Sequence, residues 1–195
     1  MMATQNLSAN FEAGASDSFS FLEHNFGFVK SIVRPNTNSV ILRYESPSIY
    51  VNVMYGPPAY APEMSFGRRG IDDVAGGYSF EAGDLIQLEK YRDWQSKQTP
   101  SGGLEGQIAW LASLLAECGK ESMLGDPAVY SDMKARRDRL VAEWQHQEQH
   151  GTLSRSIDAA WREMDYKTIV DLCANYNGPL GNLDTKRLHY ARSLV

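Results

Sequence analysis

Two histidines four residues apart are the first side chains in this 195-residue chain whose spacing suggests chemistry. His146 and His150 flank Gln147-Glu148-Gln149. On a helix, positions i and i+4 share one face, which is how two imidazoles come to bind zinc. Glu143 lies one turn earlier and supplies a candidate third ligand. A zinc protease of the His-Glu-x-x-His type needs glutamate directly after the first histidine. Gln147 stands there, so that reading fails on its own terms. A solvated helix end, where imidazoles favour the negative end of the dipole, accounts for the same residues. A metal-binding protein or hydrolase built on His146, His150 and Glu143 is therefore kept as an alternative, and no cofactor is expected.

Other chemical signatures are weaker. Lys134, Arg136, Arg137 and Arg139 form a basic run, but Asp132, Asp138 and Glu143 stand at helical neighbour spacing, which predicts a solvated salt-bridge face. Asp72-Asp73, Glu81 and Asp84 are the acids near a loop; no calcium-loop pattern surrounds them, and they read as surface acids. Gly102-Gly103-Leu104-Glu105-Gly106 follows no strand and precedes no Lys-Ser/Thr pair, which excludes dinucleotide and phosphate loops. No Gly-x-Ser-x-Gly element occurs, and no catalytic residue is assigned. The stretch Gly56-Pro57-Pro58-Ala59-Tyr60-Ala61-Pro62 is different in kind. Stiff backbone with nearby tyrosine and arginine is the composition of interface anchors. Ordered prolines lose little entropy on binding. Tyr55, Tyr60, Phe66, Arg68 and Arg69 are the candidate binding residues; a rigid strand connection with inward tyrosines is the alternative.

The elements that position these residues divide the chain in two. Residues 1–17 are rich in Ser, Ala and Asn and predict a frayed start, followed by a short helix over 19–25 capped by Asp17 or Ser18 and closed by Gly27. Strands are expected over 29–34, 39–45, 48–55 and 63–68, the third alternating Ile49, Val51, Val53 and Tyr55 against Tyr50, Asn52 and Met54. Short turns between them imply an antiparallel meander. A helix is expected over 80–94 without a capping box, and a linker over 96–103. Beyond it come a helix over 104–118 and another opened by Asp126-Pro127, with a stripe of Tyr130, Met133, Arg137, Leu140 and Trp144, ended by Gly151. A hairpin over 153–164 and 166–176 follows, with Asp165 as N-cap, then a last helix capped by Asp184. The expected fold class is α+β: a small antiparallel sheet of three to five strands with flanking helices, followed by a C-terminal helical region. The expected subdomains are 1–95 and 104–195, with one continuous domain as the alternative.

Composition bounds the function. Hydrophobic residues make up 43% and charged residues 22%, as in globular domains. A net charge of −5 gives no basic footprint for nucleic acid, and no apolar run approaches a membrane span. The N-terminal residues lack the charged and apolar regions of a signal peptide, and two cysteines, Cys118 and Cys173, make neither a disulfide framework nor a zinc site. The expectation is a cytoplasmic protein with reduced thiols.

Ala160-Trp161-Arg162-Glu163-Met164-Asp165-Tyr166-Lys167-Thr168-Ile169-Val170 resembles one tetratricopeptide-type helical hairpin, in which an Asp-Tyr pair opens the second helix. Met164 replaces the family's glycine, and the pattern does not recur, so a single packing hairpin is implied rather than a solenoid. The whole arrangement, a short helix ending in Gly27-Phe28 and then a sheet, resembles a class of bacterial α+β proteins similar to immunity proteins encoded beside polymorphic toxins. That resemblance implies binding to another protein rather than catalysis. The leading expectation is a non-catalytic protein-binding module of inhibitor or immunity type; a structural homo-oligomeric adaptor is a further alternative.

Overall fold

The computed structural model describes residues 2–36, 38–74, 77–88, 94 and 102–195, with side chains from Ser8 onward. The chain forms two compact units, Met1–Ala135 and Arg136–Val195. The α+β class is observed: a five-stranded antiparallel sheet with flanking helices, then a helical region.

The first unit opens with α1 (Met2–Ser18) and α2 (Ser20–Phe26). The start is therefore helical, not frayed. Phe11, Ala15, Phe19 and Leu22, at helical spacing, are all buried, and that burial holds the segment down. No side chain caps α2, where Phe19 occupies the cap position instead of Asp17 or Ser18. Gly27 closes the helix in the left-handed conformation (φ 69°), as its lack of a Cβ allows.

The sheet runs β1 (Val29–Asn36), β2 (Ser39–Glu45), β3 (Ile49–Tyr55), β4 (Glu63–Arg68) and β5 (Phe80–Glu81) in sequential order. Register fixes the faces. Leu42 lies opposite Val53 and Tyr44 opposite Val51; Val51 in turn lies opposite Phe66. These side chains face the helices, where Phe11 stacks on Tyr55 (5.2 Å between ring centres) and Phe19 meets Tyr44 (6.3 Å). The Tyr44 hydroxyl is buried without a partner, and burial raises its pKa, reinforced by the Glu23 charge.

Phe80 and Glu81 are strand, not helix. The helix that follows is α3 (Ala82–Ile86), opened by a capping box in which the Asp84 carboxylate accepts from the Glu81 amide at 2.7 Å. The cap is Glu81 and not Ser79, because the strand takes up two more residues before the helix begins. Residues 89–93 of the expected helix, and 96–101 of the expected linker, lie outside the described residues. α4 (Leu104–Cys118) packs on α1, and the short α5 (Lys120–Met123) follows. α4 thus belongs to the first unit and not with the C-terminal helices of an expected 104–195 subdomain.

α6 (Pro127–Arg162) begins where Asp126-Pro127 predicted, with Asp126 Oδ1 accepting from the Ala128 amide at 2.9 Å. It does not end at Gly151. Nothing lies within 4 Å of a Cβ built there, and one interior glycine costs a helix only about 1 kcal/mol. Val129, Tyr130 and Met133 enter the first unit's core. In the second unit, Leu153, Ile157 and Ala160 of α6 form a separate core with Ile169 and Cys173 of α7 (Tyr166–Ala174) and Leu188 and Ala191 of α8 (Asn182–Arg192). Asp165 caps α7 as expected, accepting from the Thr168 amide (3.1 Å) and hydroxyl (2.6 Å); the hydroxyl bond is the main reason its pKa is lowered. Asp184 is not the cap of α8. Gly181 holds that position, and Asp184 is buried one turn in, accepting from the Ser154 hydroxyl at 2.5 Å.

Candidate interaction surface

Arg68 ends β4 and does not project outward. The chain turns at Gly70 (φ 71°) and brings Asp72 back beneath it. The Asp72 carboxylate accepts from the Arg68 amide (2.7 Å), Nε (2.8 Å) and Nη2 (3.0 Å). Two parallel N–H bonds to one carboxylate match the fork of the guanidinium, and the ionised pair strengthens each of them. These bonds to Asp72 raise the pKa of Arg68. The guanidinium lies 4.9 Å from the centre of the Tyr130 ring, whose own pKa burial raises. The Tyr50 hydroxyl donates to the Asp72 carbonyl at 3.4 Å and lies 3.2 Å from Ser79 Oγ. A Cβ at Gly67 would stand 2.8 Å from Asp72 Cβ and 2.9 Å from Tyr50 Oη, so only glycine leaves room for the returning loop. Asp72, expected as a surface acid, is buried. The assembly is a structural knot that seals β4.

Arg69 is tied as well. Its Nη1 donates to the Ser46 carbonyl at 3.1 Å, and its Nε lies 3.4 Å from Glu45. Glu45 also accepts from Arg43 Nε at 3.0 Å, and Arg43 Nη2 reaches Asp73 at 3.3 Å. Phe66 and Tyr55 point into the core. Of the five candidate anchors, Tyr60 and Arg69 are exposed and Arg68 is partly so. Tyr60 adopts a positive φ of 49° at the tip of the proline loop, and its ring meets Tyr55 edge-on at 6.2 Å. The loop is held at its root, where Gly56 approaches Ser39 so closely that a Cβ would stand 2.6 Å from Ser39 Oγ. Pro57 and Pro58 border a hollow of about 190 Å³, with Pro35, Ile41 and Met54 on its other walls.

That hollow adjoins β1. Its residues are nearly all exposed, whereas β2, β3 and β4 each bury alternate or successive positions. Among the described residues β1 pairs with β2 alone, so it is an edge. Ile32 lies opposite Leu42 and therefore on the helix side; Val29 and Val33 lie opposite Glu45 and Ile41 on the other. All three are open to solvent: Val29 71%, Ile32 40% and Val33 45%. Val33, Ile41 and Met54 continue as one cross-strand row toward the hollow. Lys30 pairs with Glu23 at 3.6 Å and Arg34 with Glu12, which fixes the strand to the two leading helices.

Neither a family model, nor a curated protein, nor a solved structure matches this chain. The surface has to be interpreted from its own chemistry.

The histidines lie in the second unit. The rings of His146 and His150 flank Tyr176, with centres 6.4 and 6.3 Å away. The backbone of Gly178 closes over them, since a Cβ there would stand 2.6 Å from Tyr176 Oη and 2.9 Å from His146 Nε2. Packing against a tyrosine and a glycine loop is what this geometry does. Glu143 is exposed. Among the described residues no group of three or more His, Cys, Asp or Glu is arranged to hold a metal ion. Neither cysteine is in a disulfide and both are buried, and burial pushes the Cys173 thiol up, away from the reactive thiolate. No helix of the described residues is long and apolar enough to cross a membrane.

The openness of β1 left a trace in the sequence: its helix-side positions read Lys30, Ile32 and Arg34, where those of β2 read Val40, Leu42 and Tyr44. The Arg68–Asp72 pair left a trace, an arginine and an aspartate four residues apart around Gly70.

Proposed function

We propose that this chain is a non-catalytic protein-binding module of inhibitor or immunity type, working in the cytoplasm, and that β1 with the adjoining Tyr60 loop receives its partner. The single observation carrying this reading is the eight-residue edge strand with Val29, Ile32 and Val33 open on both faces. An extended partner segment adds to such an edge through main-chain hydrogen bonds, while side-chain pockets give specificity. The hollow beside Pro57 and Pro58 supplies the pocket, and Tyr60 an aromatic anchor that loses little freedom on binding. Lys30 and Arg34 are held by Glu23 and Glu12 of the two leading helices, which leaves Val29, Ile32 and Val33 as the open aliphatic side chains of the strand. Two buried cysteines outside any disulfide fit a reducing compartment.

The test uses the full chain as immobilised bait beside its Ile32→Lys/Val33→Lys variant, with circular dichroism showing that both are folded. A protein retained by the wild type and lost from the variant supports the reading. A protein retained equally by both contradicts it.

A further inference from the structure

From Asp138 to Gln149 every residue of α6 is exposed, so three turns of this helix meet solvent on all sides. Three large apolar side chains stand on that stretch: Val141 (44% exposed) and, one turn apart, Leu140 (38%) and Trp144 (62%). Leu140 and Trp144 share one ridge. They are the middle of a ladder with four-residue steps: Arg136, Leu140, Trp144, Glu148. Read forward it runs base, apolar, apolar, acid; read backward it runs acid, apolar, apolar, base. A row of this kind complements itself when a second helix is laid across it in the opposite direction.

We propose that the chain forms a two-fold symmetric dimer in which α6 of two copies cross antiparallel near the level of Ala142. Leu140 then packs against Trp144 of the second copy, and Arg136 faces Glu148 of the second copy. Rows of i±4 side chains lie along one another when helices cross at about 50°, the commonest arrangement in globular proteins. The two-fold axis repeats each contact, giving two Leu–Trp and two Arg–Glu pairs from four residue types, as a self-complementary surface requires. Charge decides the direction. A parallel crossing would bring Arg136 against Arg136 and Glu148 against Glu148, and such like-charge juxtaposition across an interface is strongly disfavoured. The apolar centre supplies the affinity, because an exposed tryptophan gains most from being covered. One helix crossing buries less than the roughly 800 Å² per partner of a stable complex, so the dimer assembles with rising concentration rather than being obligate. This surface shares no residue with β1 or the Tyr60 loop, so either proposal can fail without the other.

Sedimentation equilibrium on the full chain tests it. The apparent mass should rise with concentration from 21.8 kDa toward twice that value. Trp144→Ser and Leu140→Ser, both at exposed positions, should weaken association by about thirty-fold each while the helical signal is kept. Glu148→Arg should weaken it by about ten-fold, and adding Arg136→Glu to that variant should restore most of the loss. A mass fixed at the monomer value at every concentration overturns the proposal, and any other protein covering the stripe is then the better explanation. A dimer indifferent to Trp144→Ser, or abolished by Ile32→Lys/Val33→Lys instead, also overturns it. So does a charge-exchanged double variant weaker than Glu148→Arg alone.

Discussion

β1 and β4 belong to one sheet and meet opposite fates. In β4, Met64, Ser65, Phe66 and Gly67 are all buried, with Phe66 touching Phe80 and Tyr130 on one face and the loop pinned by Asp72 lying over the other. β1 is longer and carries comparable aliphatic residues, yet Val29, Ile32 and Val33 stay open. Composition and position both make that difference: β4 is paired by β3 and β5 and turns Met64 and Phe66 to the core, whereas β1 is an edge with Lys30 beside Ile32 on its helix side. A returning loop held by the Arg68–Asp72 pair also covers one strand, and nothing among the described residues does the same for the other. An apolar edge left open beside a stiff aromatic loop is the kind of surface that natural sheets otherwise cover or charge. The lesson is that in this molecule the conspicuous polar side chains, Arg68 and Asp72, are structural, and the plain aliphatic ones are the candidates for recognition.

That contrast can be broken at either end. The largest effect is expected at Phe66, where Phe66→Ala should cost about 3–5 kcal/mol in chemical denaturation, since a fully buried ring leaves a cavity. Asp72→Ala should cost less, about 2–3 kcal/mol, because Arg68 loses its carboxylate yet still reaches solvent; faster proteolysis within 69–79 should accompany it. Gly67→Ala should cost about 1–2 kcal/mol, as the new methyl group displaces Asp72 and Tyr50. Val33→Lys, on the open strand, should change stability by no more than about 0.5 kcal/mol and act on partner binding alone. A Val33→Lys penalty as large as that of Phe66→Ala would mean that β1 is covered after all.

Much of the fold was legible. The bounds of β2, β4 and α4 follow from alternation and helical periodicity, and Gly27, Asp126-Pro127 and Asp165 punctuate the chain as their backbone preferences dictate. The leading helix was not legible, because Phe11 and Ala15 are sparse anchors in a polar segment and become decisive only against Tyr55 and the sheet. Gly151 misled for a related reason: a glycine ends a helix only when the chain also turns there. The candidate surface was half legible. Composition picked out the proline loop and Tyr60, but Tyr55 and Phe66 turn inward by the register of β3 and β4, and Arg68 and Arg69 are consumed by Asp72, Glu45 and Ser46. Those are long-range facts that no local pattern holds.

Amide hydrogen exchange along the sheet, measured on the free chain and again on the complex captured through it, tests the central claim most directly. In the free chain the outward-facing amides of Val29–Asn36 should exchange far faster than those of β3, and in the complex they should become protected together with the Tyr60 loop. Protection confined to the second unit, with β1 exchanging as freely in the complex as alone, would contradict the account.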